Sequence, residues 1–251
     1  MDGNGILGGT VHGVLFDAGN TLIRVRHSVG AVYAAVARRH GAVADPDLLD
    51  ARFHAAFTRR RSSFLPGVSH PHSPQREKAW WKGLVADVFQ GVEDLDPRGE
   101  RFPGFFEALY REFEKPDHWQ LFPDVAPCLE TLSRQGIPTA VVSNWDSRLH
   151  LVLRGLGITE QLQFVLTSAE FGAEKPDPAI FREAVDRLGL APGRVLHVGD
   201  SLEDDVGGAR AAGLRAVWLR RRQPESCPDG VEYWEGLGNI SDVPTVESSR
   251  S

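Results

Sequence analysis

Four short polar motifs follow apolar runs in a fixed order, and that order limits the folds open to this chain. They are Val14-Leu15-Phe16-Asp17-Ala18-Gly19-Asn20-Thr21-Leu22, Ala140-Val141-Val142-Ser143-Asn144, Glu174-Lys175-Pro176-Asp177-Pro178, and Leu196-His197-Val198-Gly199-Asp200 leading to Asp204-Asp205. The runs from Val11 to Asp17, Ile137 to Ser143, Phe164 to Thr167, Arg194 to Gly199 and Leu214 to Leu219 read as buried strands. Helical patterns lie between the later ones. Asp124 is placed to cap a helix through Leu132 that Gly136 ends, and Asp177 precedes Pro178 in N-cap order, with Gly189 closing that helix. Strands separated by single helices make βαβ units and a parallel sheet. In such a sheet all four motifs meet at the carboxyl edge, where open α/β folds bind ligands.

The first strand stands apart from the others. The stretch 23–118 reads as helical and loop-rich, with apolar stripes over Val29 to His40, Gln75 to Phe89 and Phe105 to Phe113, and a loop over Ser62 to Pro74. The expected organisation is an α/β core of doubly wound, Rossmann-like type from 1–22 plus 119–222, a helical cap from 23–118 inserted over the carboxyl edge, and a partly ordered tail, 223–251.

Composition narrows the partners. The net charge of −6 gives no general attraction to nucleic acid. No apolar run approaches the roughly 20 residues that span a bilayer, and no secretory signal is visible, so neither a membrane nor export is expected. Cys128 and Cys227 are too few for a disulfide framework, and a cytoplasmic protein is expected. The basic residues are nearly all arginine; the lysines are Lys78, Lys82, Lys115 and Lys175, which singles out the one within a motif.

Together the motifs supply a carboxylate nucleophile, a hydroxyl, an ammonium and an acidic pair, the parts that hold a phosphoryl group and a divalent cation against one aspartate. Each residue also has an ordinary reading: Asp17 as a turn or cap residue, Ser143 and Asn144 as a turn, Lys175 as a solvated lysine, and Asp200 to Asp205 as an acidic helix start. The four in this order make the joint ordinary reading a poor account.

These residues resemble the haloacid dehalogenase superfamily of hydrolases, over nearly the whole chain to about Arg220. Ser143-Asn144-Trp145-Asp146-Ser147-Arg148-Leu149, with Phe164 to Ser168 and Lys175 to Pro178, is most similar to a subgroup of animal and plant members whose substrates are poorly defined; Arg24 to His27 and Trp80-Trp81 share that similarity. The resemblance implies a Mg²⁺-dependent phosphohydrolase acting on a small phosphorylated metabolite. Asp17 would attack phosphorus and form an aspartyl-phosphate. Ser143, Asn144 and Thr21 would hold phosphoryl oxygens, and Lys175 would neutralise charge between the two anions. Asp17, the Gly19 carbonyl, Asp200 and Asp205 would serve the metal, Asp205 as ligand or as support.

At one position the chain departs from the pattern. Family phosphatases usually carry a general-acid Asp where this chain has Gly19, and losing a general acid typically costs about 10²–10⁴-fold. Without a substitute, acyl or aryl phosphates are the favoured substrates; His27, Asn20 and the His70/His72 pair are conceivable donors. Two rivals stand beside this reading: a weakly active or non-catalytic phosphate- or partner-binding module, and a metal-independent haloacid dehalogenase. A phosphonatase would need a cap lysine, and Lys78, Lys82 and Lys115 read as solvated. Trp80-Trp81 are expected to pack the cap, Arg59 to Arg61 and Arg220 to Arg222 to lie in solvent, and Cys128 to be buried in a helix.

Overall fold

The computed structural model describes residues 9–62, 73–221 and 227–245. Its eight strands are β1 (Gly13–Phe16), β2 (Ile23–Val25), β3 (Trp119–Leu121), β4 (Thr139–Ser143), β5 (Val165–Thr167), β6 (Val195–Gly199), β7 (Arg215–Leu219) and β8 (Tyr233–Trp234). Its α-helices are α1 (Val29–Arg39), α2 (Pro46–Ser62), α3 (Pro74–Phe89), α4 (Phe102–Glu112), α5 (Val125–Arg134), α6 (Arg148–Gly155), α7 (Ser168–Phe171), α8 (Pro178–Leu188) and α9 (Gly208–Ala211).

Every residue of β1 is buried, because parallel strands flank it on both sides: Leu15 pairs with Ala140 of β4 and with His197 of β6. The six-stranded sheet runs β5-β4-β1-β6-β7-β8 with all neighbours parallel. In chain order of its own strands this is 3-2-1-4-5-6, the doubly wound Rossmann arrangement, with its switch point beside β1. Strand alternation sends Val14, Phe16, Val141 and Val198 to one face, against Leu129, Leu132 and Leu149 of α5 and α6. Leu15, Val142 and Val195 face the other way, against Ile180, Phe181 and Ala209 of α8 and α9. With apolar layers on both faces, the charged groups of the motifs have only the strand ends to occupy.

Several expected boundaries shift for local reasons. The second core strand starts at Thr139 because Pro138 has no N–H and offers only its carbonyl, to Val14. Asp177 does cap α8, accepting the Ala179 N–H at 2.9 Å, and Gly189 closes it at φ 67°. Asp124 precedes α5 but makes no capping hydrogen bond; its carboxylate is taken by Arg221 and by the Leu237 N–H. The tail yields a strand that the sequence pattern does not signal: β8 extends the sheet, and Trp234, Leu237, Ile240 and Val243 join the core.

Residues 23–25 and 119–121 pair as an antiparallel ribbon, Arg24 opposite Gln120, so the long insertion leaves and returns at one place. Within it, α1, α3 and α4 match the three apolar stripes. The sequence pattern signals no helix at α2, whose apolar residues do not form one stripe: Leu49 is buried while its neighbour Leu48 is 51% exposed. Packing holds α2 instead. Gly30 of α1 donates its N–H to Asp50, and a Cβ there would lie 2.0 Å from the Pro46 carbonyl oxygen, so the two helices touch where α1 has no side chain. Helices α1–α4 enclose their own apolar cluster, centred on Phe89, Phe105, Phe106 and Leu84. His70 and His72 lie outside the described residues. No described helix is long and apolar enough to cross a membrane.

Candidate active site

The carboxyl ends of β1, β4 and β6 and the loop after α7 bring five of the motif side chains together. Asp17 follows β1, where its N–H completes the ladder to the Val198 carbonyl at 3.0 Å. Its Oδ1 accepts from the Ser143 hydroxyl at 2.9 Å and from the Lys175 ammonium at 2.7 Å. Lys175 Nζ also donates to Asp205 Oδ1 at 2.6 Å. Asn144 fixes the lysine's backbone from both sides: its amide donates to the Lys175 carbonyl at 2.9 Å and its Oδ1 accepts the Lys175 N–H at 2.8 Å.

Asp205 is placed by an unusual turn. Residues Leu202–Gly207 form a π-helical segment that starts at Ser201, whose N–H donates to Asp205 Oδ2 at 2.9 Å. Asp205 lies so close to β6 that a Cβ on Gly199 would stand 2.1 Å from its Cγ; the glycine makes room for the carboxylate. His197, buried in β6, meets Asp205 Oδ1 at 2.9 Å and packs edge-on to Phe181.

The electrostatics follow from burial and proximity. Burial pushes the Lys175 ammonium down; the carboxylates of Asp17 and Asp205 outweigh it and hold it well above its usual range. Burial also works against Asp205, and Lys175 and His197 overcome it, holding that carboxyl well below the usual range. Asp200 has no such partner. Burial raises it, Asp17 and Asp205 raise it further, Lys175 and a hydrogen bond from Asn20 offset only part, and its carboxyl is pushed up to about 7.

Asp17, Asp200 and Asp205 each offer an oxygen within 4.8 Å of the others. Three carboxylates beside one lysine leave excess negative charge, which the strained ionisation of Asp200 records. An all-oxygen donor set of that charge fits a hard divalent cation such as Mg²⁺. Both oxygens of Asp205 are already engaged by protein donors, so Asp17 and Asp200 are the better-disposed carboxylates. The Gly19 carbonyl accepts no hydrogen bond among the described residues, and Asn20 beside it takes the left-handed conformation at φ 54°.

Thr21 stands elsewhere. It is fully buried, does not line the cavity over the site, has a hydroxyl without a partner, and gives its carbonyl to Arg221. Arg221 corrects the expectation of a solvated arginine run. It donates to the Thr21 carbonyl at 3.0 and 2.8 Å and to Asp124 at 3.0 and 2.9 Å, over the ring of Phe122 at 3.9 Å. It thereby ties the loop after Asp17 to α5. Arg220 lies over the rings of Trp218 and Tyr233, while Arg222 is outside the described residues. His27 is exposed and does not line the cavity, although Val25 and Val29 on either side of it do. Lys78 and Lys115 pair with Glu107 and Glu112, and Lys82 is exposed, as their solvated reading expects.

A cavity of about 1280 Å³ extends from Asp17 and Lys175 to the faces of α1–α4. Trp80 and Trp81 pack edge to face at 5.0 Å and also line it. On its wall Arg148 and Tyr110 are neutralised locally. Arg148 grips both oxygens of Asp146 at 2.9–3.1 Å under the Tyr110 ring, and the Tyr110 hydroxyl donates to Asp146 at 2.6 Å. His197 and Ser201 have no role in the sequence expectation, Arg148 enters it only as part of the Ser143–Leu149 motif, and Arg221 only as solvated. His197 carries a signal as a polar residue inside an all-buried apolar strand.

Comparison with known proteins agrees with this geometry. A family model described as haloacid dehalogenase-like hydrolase matches residues 11–213. Haloacid dehalogenase-like hydrolase domain-containing protein 3 of Danio rerio is 34% identical over 93% of this chain and 95% of its own length. A phosphoserine phosphatase of Thermus thermophilus is 31% identical over 86% of this chain and 93% of that protein. Among solved structures, a HAD phosphatase of Thermococcus onnurineus has a TM-score of 0.65 at 26% identity, covering 92% of this chain and 97% of that one. The L-2-haloacid dehalogenase of Xanthobacter autotrophicus has a TM-score of 0.66 at 18% identity, covering 93% and 98%, and shares the fold.

Proposed function

The chain belongs to the haloacid dehalogenase-like hydrolase family, and on that premise we propose that it is a Mg²⁺-dependent phosphohydrolase acting on a small phosphorylated metabolite. The observation that carries this reading is the convergence of Asp17, Ser143, Lys175 and Asp200 at the switch point of the sheet. The Thermus relative, a phosphoserine phosphatase, supports phosphoester chemistry. Three close carboxylates favour it over the metal-independent dehalogenase reading, since a reaction without metal has no use for the uncompensated charge at Asp200.

In this reading Asp17 attacks phosphorus with Oδ2, the oxygen that has no hydrogen-bond partner among the described residues, and becomes an aspartyl-phosphate. Ser143 donates to a phosphoryl oxygen. Lys175, kept ammonium by its two carboxylates, lowers the repulsion between nucleophile and phosphate. Asn144 holds Lys175 in place through its backbone. Mg²⁺ would be held by Asp17, Asp200 and the Gly19 carbonyl, with Asp205 as support, and when bound it supplies charge stabilisation at the phosphoryl group. Helices α1–α4 act as the cap that closes over the substrate in the cytoplasm.

Phosphate release from acetyl phosphate, p-nitrophenyl phosphate and glucose 6-phosphate, with Mg²⁺ and with EDTA, tests the reading. Turnover is expected with Mg²⁺, and none with EDTA or in Asp17→Asn, a drop of about 10⁴-fold or more. Turnover of a 2-haloacid that EDTA leaves untouched would establish the dehalogenase instead.

A further inference from the structure

Two residues after the nucleophile, the chain has no side chain and the space is open. A Cβ built on Gly19 would meet a single neighbour, Cζ3 of Trp145, at 3.5 Å. Gly19 therefore uncovers part of the Trp145 indole beside Asp17, and all three residues line the same cavity. The backbone of Trp145 is fixed: its backbone N–H donates to the Ser143 carbonyl at 2.9 Å and its carbonyl accepts from the Ala169 N–H at 3.1 Å and the Ser168 hydroxyl at 3.3 Å, while its ring lies 5.1 Å from that of Trp119. Beyond it the cavity continues along Tyr33, Phe57, Trp80 and Trp81; of the charged residues that also line it, Arg148 is paired with Asp146, at 2.9 Å. The space beside Gly19 is thus bordered by the Trp145 ring, with more rings farther along the cavity and Arg24, His54, Arg76 and Glu77 elsewhere on its wall.

Position 19 itself offers no proton, and the Ser143 hydroxyl and Lys175 ammonium beside it donate to carboxylates. An alkoxide leaving without a proton is a strong base, whereas a phenoxide, whose conjugate acid titrates near 10, is stable enough to leave as the anion. Resting on the phosphohydrolase reading, we infer that the substrate is an aryl phosphate whose ring lies against Trp145 in the space left by Gly19. Asp17 forms a bond to phosphorus while the P–O(aryl) bond breaks, and the electron pair departs with the phenoxide oxygen. Water then attacks the aspartyl-phosphate, releasing phosphate and Asp17, and the phenoxide takes its proton from solvent. Trp145 is a specificity-determining residue in this scheme, and ring stacking supplies the preference.

The test compares phenyl phosphate, propyl phosphate and acetyl phosphate on the full chain with Mg²⁺. Phenyl phosphate is expected to exceed propyl phosphate by about 100-fold or more in kcat/KM. Trp145→Ala should raise KM for phenyl phosphate about tenfold and leave acetyl phosphate within twofold, with Trp145→Phe restoring most of the loss. Gly19→Asp should fill the space, lowering kcat/KM for phenyl phosphate and raising it for propyl phosphate. By calorimetry, phenylphosphonate should bind the wild-type protein about tenfold more tightly than methylphosphonate. Equal use of phenyl and propyl phosphate, equal losses on phenyl and acetyl phosphate in Trp145→Ala, or equal binding of the two phosphonates would overturn the inference while leaving the phosphohydrolase standing. Absence of turnover on all three phosphates would overturn the phosphohydrolase reading and the inference with it.

Discussion

At the carboxyl edge of the sheet, Lys175, Ser143, Asp17 and Asp205 fix one another through a few charged contacts of 2.6–2.9 Å, with Asp200 beside them, whereas across the cavity α1–α4 are held by ring against ring, with Tyr33 alone meeting Phe53, Phe89 and Phe113. In the first region each charge is balanced by only a few specific partners, so removing Lys175 leaves buried carboxylates without their cation. In the second, many weak contacts share the load, and the loss of one is diluted among its neighbours. The difference teaches where to look for each kind of defect. Changes at the edge should abolish chemistry, and changes among the helices should alter stability and selectivity first.

The strongest challenge to that contrast is Lys175→Met. It removes the cation that Asp17 and Asp205 share, and should cost about 3–5 kcal/mol in the absence of divalent cation together with all measurable turnover. Urea unfolding with and without Mg²⁺ checks it; a loss under 1 kcal/mol would show that the edge is not held by a few charged contacts. Phe105→Ala, in the middle of the α1–α4 cluster, should cost about 3 kcal/mol in the same assay. Mg²⁺ affinity should stay unchanged, and an equal fall in affinity would mean that the two regions are not separable.

A subtler probe uses pH. The Asp200 carboxyl is raised to about 7 in the folded protein, far above its unfolded value, so its ionisation opposes folding. The penalty is fully felt above pH 7 and fades as the pH falls below it. Asp205, held low, keeps its contribution through that window and loses it only in strong acid. Without divalent cation, the melting temperature should therefore rise from pH 8 to pH 6. Asp200→Asn should remove most of that slope, and Mg²⁺ should flatten it in the native protein. The smallest effect belongs to the exposed pair Arg59–Asp87, at 3.0 Å with Arg59 66% exposed: Arg59→Ala should shift stability by about 0.5 kcal/mol or less.

The two regions also differed in how far the sequence revealed them. Buried parallel strands read as continuous apolar runs, so β1, β4, β5, β6 and β7 are legible to within a residue or two, and the motif residues fall at their ends. Local chemistry announced the Asp177-Pro178 start of α8. What stayed hidden depended on distant partners. The ribbon β2–β3 joins segments with no strand pattern of their own, α2 lacks an apolar stripe, and β8 is two residues long in a stretch rich in Gly and Pro. Asp124 has the composition of a cap, yet Arg221 and the Leu237 N–H claim it, and nothing near residue 124 announces either. Within the site, Asp17, Ser143, Lys175, Asp200 and Asp205 do converge. Thr21 does not join them, because the loop after Asp17 turns its hydroxyl into the protein and its carbonyl toward Arg221.

The strand order has a consequence for synthesis. The ribosome makes β1 before the other strands of its sheet, yet β1 occupies the middle of the finished sheet, and the side chains that secure Asp17 come 126 and 158 residues later. While the rest of the chain emerges, an apolar strand ending in a bare carboxylate has neither neighbour to pair with. Helices α1–α4, whose contacts are nearer in sequence, have the opportunity to form meanwhile. Lesions in β4 or β6 would then betray themselves as poor yield of soluble protein, before any assay of the purified molecule could register them.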